Sequence, residues 1–485
     1  MKTITCRVGA LVFLAACVAR WPAGAASVVP PVLSIQQINP LTVALSWTNT
    51  APGFVLESVD SLDGSQQRIG VLQAPQLANA RLVVTQSIGT ITGRARFFRL
   101  APKGSPAGTD YLLATQNPDG SWGTPNGSLL RDTAAVLESL AESGQTGTAL
   151  FATGLSALAS IVPRNNDDAS RQVIMLALAD WDVSASAANL LNSQNLEISD
   201  LLNTSYPGRA WGLASGFGNS TLDTALVLRA LKAAGETAGL SVAAETLLGK
   251  TTSAARSLNL PAGSSDLVLK VRNLIGIVRF NIACPNGSNN YVDLYTGQTP
   301  TSVSFPKTTG PVTFTVQNLS GTLATYSAEL GFTGSDGLDT FSITTPLTFL
   351  GLAQNADGGW GITPGRDSQL MVTAEVVRSL AAWGQAFGPQ QVLQSARTWL
   401  LSHQHLDGGF SSLKGSNLPE TALAVLAILA IDPTTPLSST ASYLQSAQLP
   451  DGSWGSNPWQ TALVMQAMRM PPVVSAISGQ SVGAR

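Results

Sequence analysis

Charged side chains recur at fixed distances from the starts of predicted helices. Glu138, Arg229 and Arg378 each come six residues after such a start, and Glu375 comes three residues after one. Positions three and six share one face of an α-helix, so these side chains would line a common surface. If that face points into an opening of the fold, the opening is charged and suits a polar ligand such as a glycan or a peptide. The alternative is a solvated helix face or a set of ion pairs between helices.

Other reactive side chains are scarce. The two histidines, His403 and His405, stand two residues apart at a predicted helix end, where their side chains diverge. Packing or surface roles are therefore favoured over a metal or acid–base site. Cys284 follows a predicted strand and has no local partner, which favours a small buried or turn residue over a nucleophile. We expect no metal site.

The composition is that of a folded chain with several domains. Its 485 residues correspond to about three domains. Hydrophobic residues make up 44% and charged residues 12%, which excludes a disordered chain because disorder needs the opposite balance. The formal net charge of −2 supplies no basic field, so nucleic acid is not expected as a partner.

Residues 1–25 have the pattern of an export signal. Lys2 and Arg7 precede an apolar run, and small residues follow at the spacing of a cleavage site near Ala25. The sequence Leu-Ala-Ala-Cys that ends at Cys17 also resembles a bacterial lipobox, so a lipid anchor at Cys17 is the alternative. In both cases we expect a bacterial protein that is secreted, periplasmic or on the cell surface. No later segment reaches the ~18 apolar residues of a membrane span, so the chain should not cross the membrane.

Residues 30–101 form short runs of alternating apolar and polar residues, which predict a small β-sandwich. An early strand ends in Leu45, Ser46 and Trp47, and the last strand carries Phe97 and Phe98. This pattern resembles fibronectin type III-like or immunoglobulin-like modules. We expect a spacer or attachment module.

Four segments share an aromatic residue, a Gln-x-x-Asp-Gly turn and a second aromatic residue. The glutamine and the second aromatic residue of each are Gln116 and Trp122, Gln354 and Trp360, Gln404 and Phe410, and Gln448 and Trp454. Regular recurrence of such a unit marks stacked pairs of elements. Each unit predicts a helix, a tight turn and a second helix. An acidic residue such as Asp132 or Asp223 stands at most of these second starts, where the helix dipole favours negative charge.

These turns resemble the repeats of the prenyltransferase/squalene-oxidase superfamily, which includes terpenoid cyclases and the β subunits of protein prenyltransferases. The resemblance implies that the glutamine, glycine and tryptophan are structural. With two degenerate copies it implies an α/α toroid of about six helix pairs. The fold class is therefore expected to be multidomain and mainly α, with an N-terminal β-sandwich and an inserted all-β domain.

The inserted domain is predicted at residues 262–340, which alternate like strands and carry turn signals. The first half of the toroid is then expected at 106–260 and the second half at 341–472. A tail follows at 473–485.

The reactive residues of the superfamily are missing where the resemblance would place them. A class II cyclase protonates its substrate with the middle Asp of Asp-x-Asp-Asp-Thr-Ala, and here Leu222 stands at that position before Asp223. The prenyltransferase zinc site needs Asp, Cys and His, and no such set is visible. The nearest match to the paired-Asp magnesium motif, Asp167-Asp168, ends in Arg171 and is better explained as a helix cap.

The expectation is an exported α/α-toroid protein without catalytic residues or a cofactor, which binds a polar ligand or another surface. The alternative is a divergent terpenoid cyclase or prenyltransferase-like enzyme. A toroid polysaccharide lyase is a further alternative on shape alone, since no Tyr or His base with a charge neutraliser is visible.

Overall fold

The structure is a computed structural model. It describes residues 33–39, 42–48, 54–59, 69–70, 76–78, 81–87, 97–102, 106–124, 128–196, 209–285, 287–299, 301–306, 309–334, 337, 339–384 and 390–469. The predicted export signal at 1–25, the alternative anchor residue Cys17 and the tail at 473–485 lie outside the described residues.

Seven short strands form the N-terminal module. They are β1 (Ser34–Asn39), β2 (Thr42–Thr48), β3 (Phe54–Val59), β4 (Ile69–Gly70), β5 (Gln76–Ala78), β6 (Arg81–Ser87) and β7 (Phe97–Pro102). They pair in two antiparallel sheets, β1-β2-β6-β5 and β4-β3-β7. Alternate residues of β2 turn inward, so Leu45 and Trp47 are buried with Val84 of β6 and Leu56 of β3. The likeness to fibronectin type III modules stays a prediction.

Twelve helices lie within the described residues. They are α1 (Pro106–Ala114), α2 (Leu129–Glu142), α3 (Ala149–Ser160), α4 (Asn166–Leu178), α5 (Ser184–Asn192), α6 (Thr221–Ala233), α7 (Phe341–Leu352), α8 (Leu370–Trp383), α9 (Gln390–Ser402), α10 (Leu418–Ile431), α11 (Ser438–Ser446) and α12 (Pro458–Ala467). Two short strands, β8 (Asn195–Leu196) and β9 (Arg209–Ala210), pair between α5 and α6. Among these helices none is long and apolar enough to cross a bilayer.

Alternate helices form a closed inner ring. Contacts run from α2 to α4, α6, α8, α10 and α12 in turn, and α12 contacts α2 again. The other helices pack against this ring: α3 contacts α2 and α4, and α9 contacts α8 and α10. The inner helix α8 is buried along nearly its whole length, whereas α3 buries only a few residues. The protein is therefore a helical toroid that carries β domains.

Each repeat turn fixes an outer helix to the inner helix that follows it. The backbone N–H of Trp360 donates to the Thr373 hydroxyl at 2.9 Å, and its indole Nε1–H donates to the Leu350 carbonyl at 2.7 Å. Equivalent pairs of bonds hold Trp122, Trp211 and Trp454. Phe410 keeps the backbone bond to Thr421 because its ring carries no donor. In all these copies the aromatic ring is fully buried at the junction of the two helices.

The repeat glutamines connect successive outer helices. The side-chain Nε2–H group of Gln354 donates to the Gly358 carbonyl of its own turn at 2.8 Å and to the Val392 carbonyl of α9 at 2.9 Å. Gln116 bonds in the same way to its own turn and to α3, and Gln404 donates to a threonine of α11. The glutamine thus closes its own turn and also reaches the next repeat.

The inserted domain is a sandwich of two four-stranded sheets. Its strands are β10 (Leu240–Leu247), β11 (Arg256–Leu260), β12 (Leu267–Ile275), β13 (Ile277–Ala283), β14 (Asn289–Tyr295), β15 (Thr301–Phe305), β16 (Gly310–Asn318) and β17 (Ala324–Gly331). The sheet orders are β10-β17-β12-β15 and β11-β16-β13-β14, with one apolar core that draws on both. Helix α7 packs against β10 and β17.

The inserted domain begins earlier than the sequence indicated. The predicted first half of the toroid at 106–260 is wrong at its end, because Leu240–Leu247 and Arg256–Leu260 are strands of the sandwich. Strand β10 has a register shift between Val242 and Glu245, and its first four residues are all buried where α7 packs against it. It therefore lacks the alternation by which a half-buried strand is recognised.

Candidate ligand-binding site

Three of the four charged residues predicted to line the opening form one buried group. Arg229 on α6 donates from Nη1 to Oε2 of Glu375 on α8 at 2.6 Å. Arg378, one turn further along α8, donates to the same carboxylate at 3.4 Å. These side chains are only 6–8% exposed. The alternative interpretation, ion pairs between helices, is therefore what the structure contains at these three positions.

Glu138 and Arg171 belong to the same group through longer-range electrostatics. Glu138 lies on α2 and its charge acts on Arg229, while Arg171 lies on α4 and its charge acts on Glu375. Helices α2, α4, α6 and α8 are four consecutive members of the inner ring, so their side chains can meet only inside it. Arg171 is 21% exposed and Glu138 is half-buried, so this group borders solvent. We call these five residues the central charge cluster.

Burial and neighbouring charges shift the pKa values of Arg229 and Glu375. Burial is the main cause that lowers the pKa of Arg229 to about 10. The positive charge of Arg378 also lowers this pKa, whereas the negative charge of Glu375 raises it. Burial alone would raise the pKa of Glu375, but the guanidinium groups of Arg378, Arg229 and Arg171 outweigh it, so this pKa lies below its ordinary value. Arg229 and Glu375 are therefore both charged at neutral pH.

One donor of the cluster lacks an acceptor. The Nη2 atom of Arg378 is buried and has no hydrogen-bond partner within the described part of the chain. An unsatisfied buried donor of this kind costs about 1–3 kcal/mol. A ligand with an oxygen acceptor at this point would remove that cost.

The two aspartates predicted at helix starts lie in the first turns of α2 and α6. Asp132 is buried and pairs with Arg131 at 2.9 Å. Asp223 is also buried, and its backbone N–H donates to the Ser220 hydroxyl at 3.2 Å. Burial raises the pKa of Asp223, and the charge of Asp167 adds to that effect. Asp223 is thus a carboxyl group that protonates more readily than usual, next to the cyclase acid position that Leu222 occupies.

A separate cavity of about 480 Å³ lies beside the turn between α7 and α8, lined by Asn355, Asp357, Gly365, Arg366, Asp367, Ser368, Trp399 and His403. Several of its polar groups bond to one another within the repeat turn. Asp357 accepts hydrogen bonds from Ser368 and from the Trp399 indole, and the His403 ring packs on Trp399 with centroids 4.0 Å apart. Asp407 accepts the equivalent serine bond in the next repeat. We therefore assign this cavity to the repeat turn, with a packing role for His403.

The described residues contain no group of three or more His, Cys, Asp or Glu side chains that could hold a metal ion. Cys284 is half-buried in the turn after β13, where its backbone N–H donates to the Ser288 carbonyl at 2.9 Å. Its Sγ atom is 3.7 Å from the Asn290 amide nitrogen. The geometry is that of a turn residue.

Arg171 is the member of the cluster that sequence reasoning missed. Asn165 caps α4 by accepting from the Asp168 N–H, and the Asp168 carboxylate accepts from the Arg164 N–H before the helix. Asp167 instead pairs with Arg171 four residues later. That i,i+4 pair of opposite charges was the available signal that Arg171 belongs to a structured helix face.

Solved structures to which the chain is similar include terpene cyclases. The chain is similar to a protein from Actinoplanes, with 13% identity and a TM-score of 0.43 over 75% of this chain and 97% of that chain. It is similar to a variant of the type II terpene cyclase MstE from Scytonema in its apo form, with 12% identity and a TM-score of 0.40 over 75% and 94%. It is also similar to ent-copalyl diphosphate synthase from Streptomyces platensis, with 14% identity and a TM-score of 0.22 over 75% of this chain and 91% of that chain. No protein-family model and no curated protein matches the chain.

Proposed function

We propose that the toroid is a non-catalytic binding module that holds a polar ligand at the central charge cluster. The observation that carries this proposal is the buried guanidinium of Arg378, whose Nη2 atom has no partner among the described residues. This guanidinium lies beside the Arg229–Glu375 pair and contacts the same carboxylate, so its position is fixed before a ligand binds. Buried polar groups nearly always have a partner in native proteins, and this unsatisfied donor lies within the charge cluster, where a ligand acceptor could pair with it.

The chemistry of the cluster favours a ligand rich in oxygen acceptors. Arg171, Arg229 and Arg378 each carry about five N–H donors, whereas the carboxylates of Glu138 and Glu375 only accept. Donors are therefore in excess. Hydroxyl and carboxylate oxygens of a glycan, or the carbonyl and carboxylate oxygens of a peptide, are acceptors of this kind. The expected export to the periplasm, the cell surface or the medium supports such ligands.

A divergent terpenoid cyclase is the second candidate, and Asp223 is the observation that favours it. Its raised pKa brings this buried carboxyl closer to the behaviour of a proton donor. Cyclases stabilise carbocations with electron-rich aromatic faces. Here three guanidinium groups belong to the interior cluster, and positive charges at short range raise the energy of a carbocation. We therefore favour binding over cyclisation.

Arg378→Gln tests the proposed site. A screen of the purified protein on glycan and peptide arrays should yield a ligand, and titration calorimetry should show about 10-fold to 150-fold weaker binding by the variant. This is the loss expected when a hydrogen bond to a charged group is removed. The 2.6 Å contact between Arg229 and Glu375 remains in this variant, so the fold should be kept.

Arg209→Gln is the matched control. Arg209 lies on β9 outside the cluster and pairs with Asp339 at 3.2 Å, so its loss should leave ligand affinity unchanged. Equal affinity of Arg378→Gln and the unaltered protein would remove the cluster as the binding site. Absence of any ligand on the arrays would contradict the binding function itself.

A further inference from the structure

One face of the inserted sandwich is exposed and carries two tyrosines. The inner face of its sheet β11-β16-β13-β14 packs into the apolar core through residues such as Phe280 and Leu294. Side chains alternate along a strand, so Tyr291, Asp293 and Tyr295 of β14 lie on the opposite, outer face. The two tyrosines are 60% and 55% exposed, which is unusual for large aromatic residues.

Asp293, which lies between the two tyrosines on β14, is held in place by Arg279 of the neighbouring strand. Asp293 lies opposite Arg279 of β13 in the register, and Arg279 donates two hydrogen bonds to it at 2.7 Å each. The guanidinium carbon of Arg279 also lies 4.3 Å from the centre of the Tyr291 ring, a cation–π contact. Tyr291 is therefore oriented before any ligand arrives, which lowers the entropic cost of binding.

Uncharged side chains surround this row, and the exposed Ile277 of β13 lies opposite Tyr295. Asn281 of β13 lies opposite Tyr291, and β16 places Gln317 beside Arg279 and Thr315 beside Asn281. Arg279 and Asp293 neutralise each other, so this part of the face has no net charge. A face without net charge does not attract nucleic acid or other charged polymers.

We propose that this face, defined by Tyr291, Asp293, Tyr295, Arg279 and Asn281, binds an uncharged polysaccharide. Tyrosine offers an apolar ring on which the C–H face of a sugar can stack, together with a polar hydroxyl. The amide of Asn281 and the fixed Arg279–Asp293 pair supply donors and acceptors for sugar hydroxyls. The two tyrosines are four positions apart on the strand, a distance of about 14 Å, which suits a chain of sugars rather than a single ring.

This surface is independent of the central charge cluster. It lies on the inserted domain and shares no residue with the cluster, so either site can fail without the other. The toroid variant Arg378→Gln should consequently bind polysaccharide as the unaltered protein does.

Affinity electrophoresis of the full chain tests the proposal. Native gels cast with hydroxyethyl cellulose, xylan, soluble starch or glycol chitin should retard the unaltered protein in at least one polymer. The double variant Tyr291→Ala/Tyr295→Ala should bind that polymer at least ten-fold more weakly. Trp181→Ala removes an exposed aromatic residue of the toroid and should be retarded normally.

Two outcomes overturn the proposal. One is that none of the four polymers retards the unaltered protein. The other is that the double variant is retarded as strongly as the unaltered protein. An unchanged thermal unfolding midpoint of the double variant, expected because both side chains are exposed, shows that a loss of retardation is not a loss of fold.

Discussion

Replacing Glu375 with alanine is expected to lower the free energy of unfolding by about 3–5 kcal/mol, the range found when one partner of a buried ion pair is removed. The carboxylate accepts from Arg229 at 2.6 Å and from Arg378 at 3.4 Å, and all three side chains are buried. Without it, two guanidinium groups remain inside the ring and lose the carboxylate that accepts from both of them, although the charge of Glu138 still acts on Arg229. Urea denaturation at neutral pH measures the loss.

Two comparisons show whether electrostatics causes this loss. The triple variant Arg229→Met/Glu375→Leu/Arg378→Met removes the three buried, directly bonded charges together, and it should recover most of the stability because a buried ion pair contributes little beyond its desolvation cost. The pKa of Glu375 is lowered in the folded protein, so its contribution is complete above the pKa of the unfolded state and is lost as pH falls through the folded value. The difference between the unaltered protein and Glu375→Ala should therefore shrink in acid. A pH-independent difference, or none, would contradict the buried cluster.

Trp360→Ala is expected to cost about 3–5 kcal/mol of stability, the range for removing a large aromatic side chain from a core. The indole is fully buried, and its Nε1–H bond to the Leu350 carbonyl joins the end of α7 to the turn. Its removal leaves a cavity and an unsatisfied carbonyl at the junction of an outer and an inner helix. Denaturant unfolding with a check of the helical circular dichroism signal measures the effect.

Thr373→Val separates the hydrogen bond from the packing at the same turn. The Thr373 hydroxyl accepts from the buried Trp360 N–H at 2.9 Å, and valine has the same shape without the acceptor. We expect a smaller loss of about 1–3 kcal/mol, the cost of an unsatisfied buried donor. Thr398→Val, whose hydroxyl is exposed on α9, should change stability by less than about 0.5 kcal/mol. A Trp360→Ala variant as stable as the unaltered protein would show that the turn does not hold the two helices together.

The repeat turns could be predicted because their bonds span short stretches of chain. Gln354 bonds to Gly358 four residues away, and Trp360 bonds to Thr373 thirteen residues away. The glutamine-to-glycine bond has this spacing in all four copies, so the Gln-x-x-Asp-Gly turn was visible in the sequence. The spacing from the aromatic residue to the threonine varies from 7 to 13 residues. The second bond of the glutamine, to Val392 of the next repeat, depends on how repeats stack and could not be read from one turn.

The charge cluster could be predicted only in part. Glu375 and Arg378 are one helical turn apart, and this spacing is visible in the sequence. The contact of Arg229 with these two residues depends on α6 and α8 being neighbours in the ring. The sequence alone does not show which helices are neighbours. Arg171 was missed because its segment was compared with a metal motif and then assigned to a helix cap. The sequence could not show that the residues would pair with one another and also leave one donor of Arg378 unsatisfied.

The start of the inserted domain could not be predicted because strand β10 lacks the regular alternation of buried and exposed residues. Ala244 has a positive φ of 51°, and the register shift around it interrupts the alternation of the strand. A bulge of this kind displaces side chains from one face to the other. The later strands β12 and β13 alternate regularly and were recognised.

We propose that the central charge cluster lies inside the helix ring, so that the ring binds a polar molecule and does not transform an isoprenoid. The direct measurement is gas chromatography with mass spectrometry after incubation of the purified protein with squalene and with geranylgeranyl diphosphate, in parallel with Asp223→Asn. We predict no cyclised product from either protein. A cyclised product that the unaltered protein forms and Asp223→Asn does not would contradict the claim.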